Sequence, residues 1–452
     1  MIKKIKIKSD FTKNVITLMT GTTIAQAIPI AISPILTRIY TPEDFGVLAL
    51  FIGLTSILSI IATGRYELAI MLPKKEDYAL HIAVLAMTVS LIISLIIFII
   101  FFLFNSEITS ILGNKEISTW LYWVPITIFI ISCYQSLNFL NIRKKHFKTT
   151  ATSKVIQSTT ISALSIFLGS VSLKNIGLVT GQILGQFVSF LYLLRNSILY
   201  SDFNLKKVRL IKLILLAKRY QNFPKIVTLT GALNTSSVQV PIFVITALFS
   251  AKVVGFYSFA QRIITIPDTL IAGSIGQVFY QEVSNRASID DKSRLFQNTL
   301  KRLLIIASPI FAFILVFGDK IFSIIFGKEW IIAGEFAQVM SLWLYLVFVV
   351  SPLSQLYNIL EKQKTFLQLN ILSFILRIIS LFIGGVLFKN MMITLYLFVG
   401  SSVLSWFIIL SVMLNYLKIK KIKIVLEILL YFLIYSLFFE FIKLLVLGVF
   451  NV

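Results

Sequence analysis

Residues 46–72 read GVLALFIGLTSILSIIATGRYELAIML and form the second long apolar stretch of the chain. A helix needs about 20 apolar residues to cross a bilayer, so this stretch is long enough to span one. About two-thirds of the way along, it carries Arg65, Tyr66 and Glu67 in otherwise apolar sequence. A charge inside hydrocarbon costs roughly 2.5 to 3.5 kcal/mol, so it normally faces a polar interior. The alternative is that Arg65 snorkels to a headgroup layer near the polar loop at residues 74–77.

Similar apolar runs recur from end to end of the 452 residues, of which 57% are hydrophobic, with a mean hydropathy of +0.91. Short polar loops separate these runs, which indicates an all-α integral membrane protein with many transmembrane helices. The single cysteine, Cys133, excludes an intramolecular disulfide. The N-terminus is basic, but no small-residue cleavage site follows the first apolar run, so we interpret that run as a retained helix.

We predict thirteen apolar spans, at residues 14–37, 46–72, 79–104, 119–141, 155–173, 176–198, 226–249, 253–280, 300–318, 330–359, 366–388, 391–416 and 424–447. The last span contains Glu427, Glu440 and Lys443, so a single helix, a bent helix and a hairpin all remain open for it. The prediction is therefore 12 or more transmembrane helices, with a C-terminal hydrophobic helix or helices beyond the twelfth span.

The net charge of +23 is distributed unevenly between the loops on the two sides of the predicted membrane. If the N-terminus is cytoplasmic, 30 of the 42 basic residues fall in cytoplasmic segments and 7 fall in outer loops. This asymmetry follows the positive-inside rule and accounts for most of the excess charge. The basic residues are thus first a topology signal, and no nucleic-acid partner is indicated.

The other five basic residues lie within the predicted spans, and two of them, Arg262 and Arg377, lie roughly midway along theirs. Arginine stays charged when buried, and its planar fork of donors suits phosphate and carboxylate. Such residues on different helices predict a central anion site. The alternative is structural pairing inside the membrane with Glu67, Asp268 or Glu282.

A weak internal repeat relates the two halves of the chain at an offset of about 212 residues. FTKNV at residues 11–15 matches FPKIV at 223–227, and IPI at 28–30 matches VPI at 240–242. Six spans in each half give both halves the same orientation, so we predict two six-helix lobes related by a pseudo-two-fold axis along the membrane normal. Parallel repeats of this kind are typical of transporters, in which the substrate site lies between the halves.

The predicted domain organisation follows from this repeat. Its parts are an N-terminal six-helix lobe (1–200), a cytoplasmic amphipathic linker helix (201–225), a C-terminal six-helix lobe (226–416) and a C-terminal hydrophobic extension (417–452). The linker has apolar residues at helical spacing with basic residues between them, which is typical of a helix lying on a membrane surface.

Four stretches resemble a known family. PILTRIYTPEDFG at residues 34–46 and RYELAI at 65–70 are similar to its signature around the first two helices. AKRYQNFPK at 217–225 and GFY at 255–257, followed by Arg262 and Pro267, resemble its second half. The family is that of the O-antigen and capsule repeat-unit flippases (Wzx type) of the MOP exporter superfamily.

The resemblance implies a V-shaped pair of lobes around a cationic central cavity. It implies that the chain is a flippase, not an enzyme, in the bacterial cytoplasmic membrane. The substrate would be an undecaprenyl-pyrophosphate-linked oligosaccharide, moved from the inner to the outer leaflet for O-antigen, capsule or other surface polysaccharide. Expected partners are this lipid-linked substrate, membrane lipids and, as further candidates, a polysaccharide polymerase and other assembly proteins.

The resemblance implies a role for each of the following charged residues. Arg65, Arg262 and Arg377 are expected to bind the substrate in the cleft. Arg38 is expected to receive or release its headgroup on the outer side, and the alternative for this loop residue is a solvated surface charge. Lys218 and Arg219 are expected either to contact lipid headgroups on the cytoplasmic side or only to anchor the linker helix. Glu67, Asp268 and Glu282 either bind a coupling proton or sodium ion or pair with the arginines. No other cofactor is expected. The only two histidines lie in different segments, so no metal site is predicted.

Three other classes of protein compete with this interpretation. A cation-coupled multidrug exporter of the same superfamily would have unpaired carboxylates, rather than arginines, dominating its cavity. A membrane-embedded polysaccharide polymerase or glycosyltransferase would need a catalytic base or metal ligands, usually on a large outer loop, and the outer loops here are short. A scaffold of an assembly complex would need no deep arginines.

Overall fold

The computed structural model describes residues 10–171, 174–200, 208–286 and 288–450, and these residues form helices and no strand. Twelve of the described helical segments are long and apolar enough to cross a membrane, which confirms a multi-pass α-helical membrane protein. Most of the predicted basic N-terminus (residues 1–9) and the first part of the predicted linker (201–207) lie outside the described residues.

The chain divides into two compact units, residues 1–252 and 253–452, whereas the sequence places the start of its second lobe at residue 226. In the first unit a π-helical turn, Phe223–Val227, precedes the last helix. The helices up to residue 248 are α1 (Asp10–Ile39), α2 (Pro42–Thr63), α3 (Tyr66–Ala69), α4 (Glu76–Leu103), α5 (Asn105–Leu112), α6 (Ile117–Leu121), α7 (Val124–Arg143), α8 (Phe147–Ser170), α9 (Lys174–Tyr200), α10 (Leu210–Arg219) and α11 (Thr228–Leu248).

The second unit contains most of α12 and all later helices. A π-helical turn at Asp268–Ala272 lies within the spanning segment Ala251–Ser284, and a second one, Ile383–Phe388, forms the end of the spanning segment Gln363–Phe388. The helices are α12 (Ala251–Ile264), α13 (Gly273–Ser284), α14 (Ile289–Phe326), α15 (Ile331–Val350), α16 (Leu356–Ile359), α17 (Gln363–Phe382), α18 (Met391–Tyr416) and α19 (Lys421–Phe450). The last predicted span is therefore one continuous helix, α19.

The turn between α1 and α2 is built by the residues of the first signature stretch. Thr41 caps α2, because its hydroxyl accepts from the Asp44 amide and the Asp44 carboxylate accepts from the Thr41 amide. Pro42 occupies the first helical turn, where its missing N–H costs nothing. The buried Tyr40 donates its hydroxyl proton to the carbonyl of Ser165 on α8 at 2.6 Å. Much of this stretch thus serves helix capping and packing.

The second spanning helix is shorter than the sequence predicts. α2 ends at Thr63, because Gly64 and Arg65 both adopt the left-handed conformation, with φ of 55° and 56°. The predicted span 46–72 was wrong in its extent, since its apolar composition continues past residue 63 while the helix does not. Arg65 lies in a turn after the membrane-spanning helix and not within a continuous one.

The fifth predicted span is helical but less apolar than the others. α8 covers residues 155–170 of it and packs against both α1 and α9, yet it does not reach the hydropathy of the twelve spanning candidates. The physical reason is its buried face, which carries Ser158, Ser162 and Ser165 at successive helical turns. Small polar residues at such a face allow close approach of neighbouring helices.

Loops that the charge pattern assigns to one side of the membrane contact each other in the first unit. The Lys212 ammonium on α10 pairs with the Asp77 carboxylate at the start of α4. The Arg143 guanidinium at the end of α7 donates to the Glu76 carboxylate at 3.0 Å and to the Pro73 carbonyl at 2.6 Å. These three loops therefore share one face of the first unit.

Gly46 is expected to tolerate no side chain. A Cβ atom there would lie 2.0 Å from the carbonyl oxygen of Ala251, well inside van der Waals contact with backbone. Overpacking of this kind typically costs about 2 kcal/mol, so Gly46→Ala should lower the thermal unfolding temperature of the purified protein. Gly400→Ala is the matched control, because nothing lies within 4 Å of its added Cβ. Equal stability of the two variants would contradict this packing.

Candidate functional site

Arg65 lies in the first unit, in the turn between α2 and α3. Its guanidinium packs against α11 so closely that a Cβ added to Gly231 would lie 2.8 Å from Arg65 Nη2. Arg65 Nη1 lies 3.4 Å from Glu67 Oε1, and the two side chains are 24% and 1% exposed. Arg65 is thus paired with an acid and partly accessible. Its predicted role in substrate binding stays a prediction.

The Glu67 carboxylate is nearly enclosed by protein. Burial raises its pKa, while hydrogen bonds and the charge of Arg65 act in the opposite direction. Its second oxygen, Oε2, is buried without a hydrogen-bond partner among the described residues, and so is the Nε of Arg65. The pair is therefore incompletely satisfied, and a proton on Glu67 is favoured more than in water.

Two of the signature stretches meet at this turn. The Tyr66 hydroxyl donates to the carbonyl of Ala217 at 3.3 Å, and Pro224 packs close to Gly64. Residues separated by about 150 positions in sequence therefore build one local structure.

Arg377 lies about three-quarters of the way along α17 in the second unit and rests on an aromatic surface. Its guanidinium carbon is 5.4 Å from the centroid of the Trp343 ring on α15. Trp343 packs edge-on against Phe398 of α18 at 5.2 Å, and Tyr257 of α12 packs on the same phenylalanine ring at 6.3 Å. Cation–π contacts of this kind fix the plane of the guanidinium and leave its charge uncompensated by an acid.

Several donors around Arg377 lack a hydrogen-bond partner in the described structure. They are the Arg377 Nε, the Trp343 Nε1 and the hydroxyl of the fully buried Tyr257. The Arg377 side chain as a whole is only half-buried. The arrangement holds the stem of Arg377 against Trp343 and leaves part of the side chain exposed.

Arg262 is exposed at the last turn of α12, and no described acidic side chain forms an ion pair with it. Asp268 begins the π-helical turn after Pro267 and lines a cavity of about 390 Å³ together with Gln277 and Gln355. Glu282 is exposed and lines a second cavity, of about 630 Å³, with Arg302. Neither acid forms an ion pair within the described residues.

The other predicted contact residues lie on the surfaces of their own units. Arg38 is exposed in the last turn of α1. Lys218 and Arg219 are exposed at the end of α10, and the Arg219 guanidinium lies 5.6 Å from the ring of Tyr220. One face of α10 buries Leu213 and Leu216 in the first unit. The basic end of α10 is thus exposed, and its predicted contact with headgroups stays a prediction.

Sequence reasoning missed Trp343 and Tyr257 as neighbours of Arg377, because aromatic residues in an apolar helix carry no signal of their own. It also missed the role of Asp77 and His81. The Asp77 carboxylate pairs with Lys212 on α10, and the Nε2 of His81 accepts a hydrogen bond from the amide of Arg209, the residue before α10. The signal for the second pair was present, since a histidine near the start of a spanning helix is unusual enough to require a partner.

Comparison with known proteins agrees with this architecture. The family model described as "Polysaccharide biosynthesis protein" matches residues 35–335, which is more than half of the chain. The chain belongs to the polysaccharide biosynthesis protein family. This membership confirms the resemblance stated from the signature stretches. No curated protein sequence matches the chain.

Three solved structures share the fold of this polysaccharide biosynthesis protein. The lipid II flippase MurJ in an inward closed conformation matches with a TM-score of 0.71 at 16% identity, over 95% of this chain and all of that one. An inward-facing MATE multidrug transporter matches with a TM-score of 0.67 at 15% identity, over 88% and 94%. The MATE multidrug transporter DinF-BH matches with a TM-score of 0.62 at 15% identity, over 90% and 96%. These likenesses establish a common fold.

The family match covers some of the candidate residues and leaves out Arg377. Arg38, Arg65 and Arg262 lie within residues 35–335. Arg377 lies beyond the matched region, so its interest rests on its own geometry in this polysaccharide biosynthesis protein.

Proposed function

We propose that this protein is a flippase for an undecaprenyl-pyrophosphate-linked oligosaccharide repeat unit. It moves the unit from the cytoplasmic to the periplasmic leaflet for surface polysaccharide synthesis, of the O-antigen, capsule or exopolysaccharide type. The family membership supports a role in polysaccharide synthesis, and the fold supports transport.

The observation that carries the proposal is the presence of arginines without acidic partners in two spanning segments. Arg262 and Arg377 form no ion pair within the described part of the chain. A guanidinium at such a position costs roughly 2.5 to 3.5 kcal/mol unless water or an anion compensates it. A diphosphate provides that compensation through charge-assisted, bidentate hydrogen bonds.

In the proposed mechanism the arginines replace the hydration of the pyrophosphate while the polyprenyl tail stays in lipid. Arg262 and Arg377 contribute charge to a wet passage for the headgroup, and alternating access moves the headgroup across. Lys218 and Arg219 gather the anionic lipid on the cytoplasmic side, and Arg38 receives or releases the headgroup on the outer side. Arg65 contributes the guanidinium N–H groups that are not paired with Glu67.

For energy coupling we propose Asp268 as the site of a proton or sodium ion. Its carboxylate shares a cavity with the amides of Gln277 and Gln355 and the hydroxyl of Ser351, which are oxygen ligands of the kind that hard cations prefer. Glu67 and Glu282 are the other coupling candidates. Glu67 is already paired with Arg65 in this structure, which favours Asp268.

The test is a deletion strain of the native host. Lipid-linked repeat units are expected to accumulate on the cytoplasmic leaflet, because synthesis continues while translocation stops, and the wild-type gene should restore surface polymer. Loss of a polymerase would instead leave single repeat units on the outer leaflet. A strain with normal polymer and altered resistance to cationic drugs would contradict the proposal and support a multidrug exporter.

A further inference from the structure

A basic cavity of about 400 Å³ lies in the second unit, between the start of α14 and the connection from α18 to α19. Four basic side chains line it, together with one acid, Asp290. The four are Arg294, Lys418, Lys420 and Lys423. All four are exposed to solvent, and none forms an ion pair within the described residues.

The fold holds this cavity in a defined shape. The amide of Ile419 donates to the Leu414 carbonyl at 3.0 Å, and the amide of Lys418 donates to the Asn415 carbonyl at 3.1 Å. This pair of hydrogen bonds ends α18 and places residue 418 in the left-handed conformation, with φ of 57°. The Ser293 hydroxyl of α14 donates to the Leu417 carbonyl at 2.8 Å, so the turn is tied to the opposite wall.

The residue at position 418 is unusual for that turn. Glycine is preferred there, because a side chain in the left-handed conformation is sterically unfavourable. Lysine in this place thus brings a charge to the cavity that the backbone geometry does not require.

An apolar face begins directly beside the cavity. Ile422, Leu426, Leu430 and Leu433 follow one another along α19, with exposed fractions of 77%, 59%, 54% and 54%. They lie in a segment long and apolar enough to span the membrane. A ligand that fits both features has an anionic head and apolar chains.

We propose that this cavity binds the phosphodiester headgroup of an anionic phospholipid, with the acyl chains lying along α19. Basic pockets beside spanning helices recognise such headgroups, and each cation near the surface contributes about 1 kcal/mol. The site is separate from the arginines of the proposed transport path. It does not depend on the proposed function.

The test compares two double variants of the purified full-length protein by native mass spectrometry with phosphatidylglycerol and phosphatidylcholine. Lys420→Gln/Lys423→Gln removes two charges from the cavity. Lys301→Gln/Lys364→Gln removes the same charge from exposed positions that do not line it. We expect phosphatidylglycerol binding to fall about 30-fold in the first variant and less than about 3-fold in the second.

Lys418→Gly supplies a variant that cannot be dismissed as unfolded, since glycine suits the turn. Its thermal unfolding temperature should not fall, while phosphatidylglycerol binding should weaken about 5-fold. Equal losses in the two double variants, or equal binding of both lipids by the wild type, would overturn the proposal. Competition by inorganic phosphate as effective as by phosphatidylglycerol would also overturn it, because the acyl chains would then contribute nothing.

Discussion

Arg377→Ala is expected to lower surface polysaccharide by about 10- to 100-fold while the protein still inserts into the membrane. The proposed contact is a charge-assisted hydrogen bond to a phosphate, and such bonds contribute about 1.5 to 3 kcal/mol. Arg377→Lys should restore part of the transport, because it keeps a point charge and loses the planar fork. The measurement is surface polymer in a complemented deletion strain, normalised to membrane-inserted protein.

The alternative explanation for a loss of surface polysaccharide is that Arg377→Ala disturbs the folded structure. The contact between Arg377 and Trp343 allows the two explanations to be distinguished. Removing Arg377 forfeits a cation–π contact that is typically worth about 0.5 to 1 kcal/mol, so only a small drop in thermal stability is expected. Arg195→Ala is the matched control, since Arg195 is an exposed arginine near the end of spanning helix α9. Normal polymer with Arg377→Ala would remove this residue from the transport path.

Arg65→Ala is expected to destabilise the protein by about 3 to 5 kcal/mol. The substitution leaves the Glu67 carboxylate, 1% exposed, without its counter-charge, and removing one partner of a buried pair typically costs this amount. The double variant Arg65→Ala/Glu67→Gln should recover most of the stability, because no charge then remains buried. Thermal unfolding of the purified proteins measures both effects.

The pH dependence of the Arg65→Ala variant gives a further check on the same pair. Burial already raises the pKa of Glu67 in the folded protein, and loss of Arg65 removes an influence that lowers it. Below the unfolded-state pKa of about 4.3 the carboxyl is protonated in both states, and the penalty is absent. As the pH rises through the folded-state pKa, the penalty becomes complete. The variant should therefore lose stability, relative to wild type, as pH increases.

The double variant also separates the two roles considered for Arg65. If Arg65 only neutralises Glu67, then Arg65→Ala/Glu67→Gln should be stable and as active as Glu67→Gln alone. If Arg65 also binds the diphosphate, the double variant should be stable and more defective in transport than Glu67→Gln alone, which removes only the carboxylate considered for coupling. A double variant as unstable as Arg65→Ala would show that the ion pair is not what holds this turn.

Much of the fold was predictable because hydrophobicity is a property of each segment on its own. The apolar runs located twelve spanning helices, and the signature stretches at residues 34–46 and 65–70 identified the family. The end of α2 was not predictable from hydropathy, because residues 68–72 are as apolar as the helix before them. Only the left-handed backbone at Gly64 and Arg65 marks it.

The candidate site was predictable in its residue types and not in its pairings. Arg65, Arg262 and Arg377 have the same appearance in the sequence, as arginines within apolar runs. In the structure Arg65 is paired with Glu67, Arg377 stacks on Trp343, and Arg262 is exposed. Asp268 has no arginine partner among the described residues and lies in a polar cavity.

The sequence by itself determined the membrane-spanning character of the chain, the order of its helices and the family, because these depend on local composition and short motifs. Tertiary structure alone decided which charges are compensated. That outcome depends on contacts between distant segments, such as Arg65 with Gly231 of α11 and Arg377 with Trp343 of α15. The free energy of a charge in a membrane is determined by its neighbours, and a linear sequence does not specify them.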